Sequence, residues 1–158
     1  MINRESIYLD TSVPSAYFDA RWPLRMEMTQ KFWEEVLPGY EPMVSEVTIA
    51  EIGKTKDETR RFEMLGLVKN YSALPVTEEV QRVAGVFSRA NLVPENKWED
   101  ALHLACAVVN GADYVASWNF DHMVQVRTQK RLPILAAQEG YFRQLLILSP
   151  QSFLGGSP

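Results

Sequence analysis

The sequence lacks several features that would define its function. It contains a single cysteine, Cys106, and only two histidines, His103 and His122. One cysteine cannot form an internal disulfide, and a cysteine-based zinc site is excluded. The longest apolar run, residues 101–109, is too short to cross a bilayer and contains His103. Because the first residues carry no signal-peptide pattern, we expect a cytoplasmic protein with no membrane partner.

Positive charge is also scarce. The chain has 16 lysines and arginines against 20 aspartates and glutamates, which gives a formal net charge of −4. Proteins that hold nucleic acid by charge alone are usually basic, so nucleic-acid binding here would need a local basic face or a bound cation. At 158 residues the chain is long enough for one domain with a proper core. We predict one domain over residues 1–150 and a C-terminal tail over residues 151–158.

Short apolar runs alternate along the chain with longer stretches of helical periodicity. Strands are predicted over residues 6–10, 42–45, 73–76, 114–117, 134–135 and 145–148. Helices are predicted over residues 24–37, from 46, over 57–70 and 77–92, and from 96 to about 110. This alternation predicts a three-layer α/β sandwich with a mainly parallel central sheet flanked by helices. Ligands of such sheets bind at the carboxyl ends of the strands, so functional residues are expected just after strands.

Asp10 meets this expectation, because it directly follows the apolar run Ile7–Leu9. A structural explanation is that Asp10 caps the next helix. The neighbouring hydroxyls of Thr11 and Ser12 are equally able to cap it, which leaves Asp10 available for another role. Asp10 is therefore a candidate catalytic residue.

Two further acidic residues occupy comparable places. Glu51 lies in the second turn of a mostly apolar helix that follows Ser45, where a charge is unusual. Asp100 opens another apolar helix. Asn96 and Glu99 have the spacing of a capping box, so Glu99 already has a structural role. For Asp100, the only structural explanation is a favourable interaction with the helix dipole. Asp10, Glu51 and Asp100 are thus the candidate catalytic set.

The fourth predicted strand is followed by further side chains with oxygen atoms, namely Ser117, Asn119 and Asp121. Hard divalent cations such as Mg²⁺ prefer oxygen ligands of this kind. Crowded carboxylates repel one another unless a cation neutralises them or one is protonated. The pattern therefore indicates a metal site at this edge of the sheet.

Four segments, in this order, resemble the PIN-domain family, and in particular the VapC-like toxins of bacterial toxin–antitoxin pairs. They are residues 7–12, 44–52, 99–105 and 111–122. The resemblance implies an endoribonuclease that hydrolyses RNA phosphodiester bonds with Mg²⁺ or Mn²⁺ bound by Asp10, Glu51 and Asp100. It also implies a homodimer and a partner antitoxin. Many members have an aspartate where this chain has Asn119, so either Asn119 or Asp121 is expected to complete the metal site.

Other residues are assigned supporting roles. Ser12 and Ser117 are candidates for positioning water or phosphate by hydrogen bonds. Although charge runs are usually solvated helix faces, a local basic cluster is a candidate RNA-binding surface; it consists of Lys54, Lys56, Arg60 and Arg61. A second basic cluster consists of Arg127, Lys130 and Arg131. His103 is expected at the surface or behind the site, and Cys106 is expected to act as a small buried hydrophobe.

The same architecture also serves other functions. A haloacid-dehalogenase-type phosphatase would need a second aspartate at position 12, which is serine, and a receiver domain would need an acidic pair before the first strand, where only Glu5 is present. The sequence contains no Gly-x-x-x-x-Gly-Lys segment, so a P-loop nucleotide-binding protein is not expected. The remaining alternative is a catalytically silent PIN-fold module that acts by binding RNA or protein.

Overall fold

Five parallel strands form one central sheet in the computed structural model, which describes residues 4–155. Along the sheet the strands lie in the order β3-β2-β1-β4-β5, and every neighbouring pair is parallel. This confirms the predicted α/β sandwich. The strands are β1 (Ser6–Leu9), β2 (Glu41–Ser45), β3 (Ala73–Leu74), β4 (Tyr114–Ala116) and β5 (Leu146–Leu148).

Helices cover both faces of the sheet. A π-helical turn (Phe32–Val36) and a 3₁₀ turn (Leu37–Gly39) extend α2. Within residues 4–155, no helix combines the length and hydrophobicity needed to cross a bilayer. The helices are α1 (Ser12–Tyr17), α2 (Pro23–Lys31), α3 (Glu46–Gly53), α4 (Glu58–Val68), α5 (Glu78–Arg89), α6 (Trp98–Val109), α7 (Val126–Gln138) and α8 (Pro150–Leu154).

The side chains of β1 alternate between two hydrophobic cores. Ile7 and Leu9 pack with α1, α4 and the π-helical turn, whereas Tyr8 packs on the other face with α5, α6 and α7. Because β1 is central and buried on both faces, its residues are nearly all apolar, as parallel sheets require. Leu9 pairs with Ala116 of β4, so the carboxyl ends of the two strands lie side by side. The residues that follow them, Asp10 and Ser117, therefore lie close together.

Two predicted elements differ from the structure. Residues 134–135, predicted as a strand, lie in the middle of α7. There Leu132 and Ala136 are buried four residues apart while Ile134 is 62% exposed, which is helical rather than alternating periodicity. The predicted capping box at the start of α6 is also wrong. Lys97 occupies the N-cap position, and no side chain caps this helix.

The chain end also differs from the predicted tail. Residues 151–154 belong to α8, which Ser149 caps by accepting a hydrogen bond from the Ser152 N–H at 3.3 Å. Proline at the first position favours this helix. Phe153 then packs against the rings of Phe32, Tyr40 and Tyr114, which gives the segment an apolar anchor. Residues 156–158 of the predicted tail lie outside the described residues.

Packing of α5 against α6 fixes the helix that carries Asp100. Phe87 of α5 is completely buried in the core shared with α6, so Phe87→Ala should lower the free energy of unfolding by about 3–5 kcal/mol. Urea unfolding measures this difference. Phe62→Ala is the matched control, because Phe62 is 79% exposed and its loss should change stability by no more than about 0.5 kcal/mol. Equal effects of the two substitutions would contradict the described packing.

Candidate active site

Asp10 lies at the end of β1 and is only 4% exposed. Its Oδ1 accepts hydrogen bonds from the backbone N–H of Ser12 at 3.0 Å and from the Ser12 hydroxyl, and its Oδ2 accepts one from Ser117 Oγ at 2.7 Å. Thr11, at the N-cap of α1, makes no side-chain capping bond. The carboxylate of Asp10 therefore also binds the free N–H of the first turn, a role that the sequence analysis gave to Thr11 or Ser12.

Asp100 lies in the first turn of α6 and is connected to Asp10 by a chain of hydrogen bonds. Its Oδ2 accepts from Asn119 Nδ2 at 3.3 Å, and the Asn119 backbone N–H donates to Ser117 Oγ at 2.9 Å. Ser117 in turn donates to Asp10. The loop after β4 therefore holds both carboxylates.

Glu51 points from α3 toward the same end of the sheet. Its Oε1 accepts hydrogen bonds from Thr11 Oγ1 and from His103 Nε2, both at 2.6 Å. A carboxylate only accepts hydrogen bonds, so Nε2 of His103 carries a hydrogen. Asp10, Glu51 and Asp100 thus come from β1, α3 and α6, and the structure brings them together at one edge of the sheet.

Behind Glu51 lies a buried hydrogen-bond network that the sequence did not predict. His103 is 2% exposed, and its Nδ1 lies 2.6 Å from the hydroxyl of Tyr8, which is 2.7 Å from Ser45 Oγ. Ser45 also accepts from the Val47 N–H and caps α3. The available signal was that His103 lies three residues after Asp100 and therefore on the same side of α6. Its contact with Tyr8 spans 95 residues and is not visible in the sequence.

The three carboxylates experience different electrostatic environments. Burial raises the pKa of Asp10, although hydrogen bonds from Ser12 and Ser117 oppose the rise. Burial and the nearby charge of Asp10 raise the pKa of Asp100. Burial acts in the same direction on Glu51, but the hydrogen bonds from His103 and Thr11 outweigh it and lower the pKa of Glu51. Asp10 and Asp100 are therefore held in a site that disfavours their negative charges.

The donor chemistry of the site fits a hard divalent cation, but the side chains do not form a ready three-ligand cage. Within residues 4–155, no group of three acidic, histidine or cysteine side chains is arranged to hold a metal. Glu51 instead accepts hydrogen bonds from Thr11 and His103. Asp10 and Asp100, which carry like charges, are suited to Mg²⁺, which is often bound by one or two carboxylates and several waters.

The two candidates for the fourth position are placed differently. Asn119 adjoins Asp100, but its Oδ1 accepts from the His122 backbone N–H at 3.0 Å, so its amide group is oriented by the loop. Asp121 is exposed, and no hydrogen bond or ion pair involving its carboxylate is found among the described residues. Asn119 therefore contacts the site through Asp100, whereas Asp121 makes no hydrogen bond to the candidate acids among the described residues.

The predicted basic clusters are partly engaged in structural contacts. Arg60 donates to the Ser15 carbonyl at 3.1 Å and pairs with Asp19 at 3.4 Å, and Arg61 donates to the Thr55 carbonyl at 2.7 Å. Lys54 and Lys56 are exposed. In the second cluster, Arg127 and Arg131 donate to backbone carbonyls that follow α5, while Lys130 makes no ion pair among the described residues. Cys106 is buried, as expected, and burial raises its thiol pKa to about 11.

A family model described as PIN domain matches residues 7–125. The chain therefore belongs to the PIN domain family. No curated protein matches the sequence significantly.

Among solved structures the fold is VapC-like. VapBC2 from Rickettsia felis, bound to a DNA fragment from its promoter, superposes with a TM-score of 0.56 at 13% identity. The superposition covers 91% of this chain and 98% of the matched VapBC2 chain. VapC20 from Mycobacterium tuberculosis, a toxin that cleaves the sarcin-ricin loop, superposes with a TM-score of 0.57 at 16% identity. The superposition covers 85% of this chain and 95% of the VapC20 chain. At such low identities the likeness concerns the fold.

The raised pKa of Asp100 gives a test of the crowded charges. A raised folded-state pKa means that this group favours folding at low pH and that the favourable contribution is lost as pH rises through that pKa. Asp100→Asn should therefore have a higher Tm than the unmodified protein at pH 7 without divalent cations. The difference should disappear at acidic pH, below the usual aspartate pKa of about 3.9.

Thermal unfolding across pH, in EDTA, measures this effect. Glu99→Gln is the matched control, because Glu99 is the exposed neighbour of Asp100 and surface substitutions change stability by about 0.5 kcal/mol or less. A Tm of Asp100→Asn that stays below that of the unmodified protein at pH 7 would contradict charge crowding.

The buried network predicts a second effect. Tyr8→Phe removes the hydroxyl between His103 and Ser45, so it should lower the free energy of unfolding by about 1–3 kcal/mol through unsatisfied buried groups. Tyr17→Phe is the control, since its hydroxyl binds Glu34 at an exposed position. Urea unfolding that gives equal stabilities for the two variants would show that the network contributes little.

Proposed function

We propose that this PIN-domain protein is a metal-dependent endoribonuclease that hydrolyses RNA phosphodiester bonds, and that it is the toxin of a toxin–antitoxin pair. The observation that carries the proposal is the pair of crowded carboxylates, Asp10 and Asp100, held at the carboxyl edge of the sheet with raised pKa values. Burial raises both pKa values, and the charge of Asp10 raises that of Asp100 further. A site that becomes favourable only with a cation explains the arrangement.

The residues that would hold the cation follow from this geometry. Asp10 and Asp100 would bind Mg²⁺ or Mn²⁺ directly, with water completing the shell, and Glu51 would take part through a water molecule. When bound, the ion supplies a positive charge that polarises a phosphoryl oxygen and acidifies water. In this proposal Asp10, Glu51 and Asp100 all take part in metal binding. Asn119 acts only through Asp100, and Asp121 is assigned no role.

The remaining residues act by orientation. Ser12 and Ser117 fix the two oxygens of Asp10, and Asn119 fixes Asp100. Thr11 and His103 hold Glu51 by one oxygen, Oε1. Its Oε2 has no hydrogen-bond partner among the described residues and is suited to accept a hydrogen bond from an attacking water. The lowered pKa keeps Glu51 ionised for that task.

The relatives support the class of substrate and partner. VapC20 is a toxin that cleaves the sarcin-ricin loop, and VapBC2 is bound to a DNA fragment from its promoter. By this likeness we propose an RNA substrate, a cognate antitoxin, a homodimer and a cytoplasmic location. The polypeptide is proposed to act as a single domain, with α8 included in it.

One observation favours the second candidate, a catalytically silent binding module. Glu51 is bound to His103 and Thr11, so the three acids do not converge on one point. A silent module would bind Mn²⁺ weakly or not at all. Calorimetric titration with Mn²⁺ separates the two functions before any RNA is added.

Substitution of the two central acids tests the proposed reaction. Asp10→Asn and Asp100→Asn should each reduce Mn²⁺-dependent cleavage of RNA at least about 100-fold, because even residues behind metal ligands contribute about 10–100-fold. Cleavage of a labelled RNA by the purified protein, with Mn²⁺, Mg²⁺ or EDTA, measures the effect. Both variants should also lose Mn²⁺ affinity in calorimetry.

The control is Glu99→Gln, the exposed acid next to Asp100, which should retain full activity. Cleavage that is equal in the unmodified protein and the Asp10→Asn variant would indicate a contaminating nuclease. That result would refute the proposed function.

A further inference from the structure

An aromatic groove of about 300 Å³ lies between the start of α2 and the loop after β4. We define it by Trp22, Arg25, Met28, Trp118 and Phe120. Two of its rings are exposed to solvent, with Trp22 at 58% and Phe120 at 46%. Large exposed aromatic side chains on one surface mark an interaction site.

The guanidinium of Arg25 lies among the three rings of this groove. Its central carbon is 4.9 Å from the ring centre of Trp118, 5.5 Å from that of Trp22 and 5.9 Å from that of Phe120. Within residues 4–155, no carboxylate pairs with Arg25 within 4.0 Å. The rings hold the guanidinium by cation–π contacts, and its charge is left without a protein counter-ion.

The aromatic groove adjoins a second cavity that reaches two residues in contact with the candidate acids. This cavity, of about 340 Å³, shares Trp22, Arg25 and Trp118 with the groove and is also lined by Ser12 and Asn119. The Trp118 backbone N–H donates to Ser12 Oγ at 2.8 Å, and Ser12 binds Asp10. The indole N–H of Trp118 donates to Thr29 Oγ1 at 2.8 Å, so the ring that lines both cavities is held in a fixed position.

We propose that the aromatic groove binds unstacked bases of single-stranded RNA beside the bond that is cut, with Arg25 contacting a phosphate. The proposal rests on the proposed ribonuclease function and names the form of its substrate. A flexible strand is able to place bases on Trp22 and Phe120 while its backbone passes Asn119 toward Asp10. Stacking on aromatic side chains is the usual way in which proteins hold single strands without reading their sequence.

Charge explains why this protein needs such a groove. Its formal net charge is −4, and the candidate site itself consists of carboxylates that repel phosphate. The predicted basic residues Arg60 and Arg61 are engaged in contacts within the protein. Stacking does not depend on net charge and therefore supplies affinity where electrostatics opposes binding.

A purely apolar protein segment fits the groove less well. Covering Arg25 with apolar side chains would remove a guanidinium from water without a counter-ion, which is costly. An RNA strand offers both an apolar base face and a phosphate. The chemistry of the groove thus favours nucleic acid over an apolar helix.

Binding in EDTA tests the proposal without catalysis. The probe is a fluorescein-labelled single-stranded RNA within the range of about 4–16 nucleotides that single-strand sites cover, compared with an abasic sugar–phosphate chain of equal length. The unmodified protein should bind the RNA more tightly than the abasic chain. Trp22→Ala and Phe120→Ala should each weaken RNA binding about 5- to 150-fold, the effect of losing one stacked base.

Conservative variants and a remote control keep this result specific. Trp22→Phe and Phe120→Tyr preserve a ring and should retain most of the affinity, whereas binding of the abasic chain should be equal in all variants. Phe142→Ala should bind RNA normally, because Phe142 is 81% exposed and lies outside the aromatic groove. Thermal unfolding verifies that each alanine variant is folded.

The proposal would be overturned if the unmodified protein bound RNA and the abasic chain with equal affinity. It would also be overturned if both alanine variants kept their RNA affinity, or if single-stranded and duplex RNA bound equally well. An acidic peptide that loses binding to Trp22→Ala while RNA affinity stays unchanged would assign the groove to a protein partner instead. Asp10→Asn separates the two proposals. In EDTA it should bind RNA at least as tightly as the unmodified protein, because one repelling charge is gone, and with Mn²⁺ it should lose cleavage. Cleavage retained by this variant refutes the ribonuclease, whereas base-independent binding refutes only the groove.

Discussion

Asp10 and Asp100 carry like charges in a largely buried place, and most of the surrounding polar structure reduces the cost of this arrangement. The hydroxyls of Ser12 and Ser117 and the backbone N–H of Ser12 donate hydrogen bonds to Asp10, and the amide of Asn119 donates one to Asp100. These donors oppose the effect of burial but do not remove it, since both pKa values remain raised. The fold therefore holds an unfavourable charge, which the proposed cation would relieve. Under that proposal, stability and metal binding are coupled through these two residues.

Much of this arrangement was predictable from the sequence, because β1 and α6 have strong local signals. An apolar run that ends in Asp10 indicates a buried strand, and the parallel sheet brings strand ends to one edge. The apolar helix after Asp100 indicates burial in the same way. What local patterns could not provide was side-chain direction. Asp10 turned out to cap α1 itself, and the Asn96–Glu99 spacing formed no capping box because α6 begins at Trp98, after Lys97.

The parts that sequence analysis missed depend on distant contacts. Tyr8, His103 and Glu51 lie far apart in the chain, and only the packing of α3 and α6 at the end of the sheet aligns them. The same applies to Trp22 and Phe120, which come from different loops. Asn119 shows a related limit. Its replacement of an acidic residue common in the family lowers the charge of the site, yet its amide makes two hydrogen bonds that an ionised carboxylate could not both make.

If both proposals hold, stacking supplies the affinity and the carboxylates supply the chemistry, so an acidic protein is able to act on an acidic polymer. The chemistry needs carboxylates at the cleaved bond, and carboxylates repel RNA there. If affinity came from lysines and arginines near the site, those cations would pair with Asp10 and Asp100 and compete with the metal. Arg25 avoids this because three aromatic rings hold its guanidinium, and among the described residues it pairs with no carboxylate. Held in this way, Arg25 and the rings would give the strand a cationic and aromatic contact without neutralising the carboxylates that the proposed reaction requires.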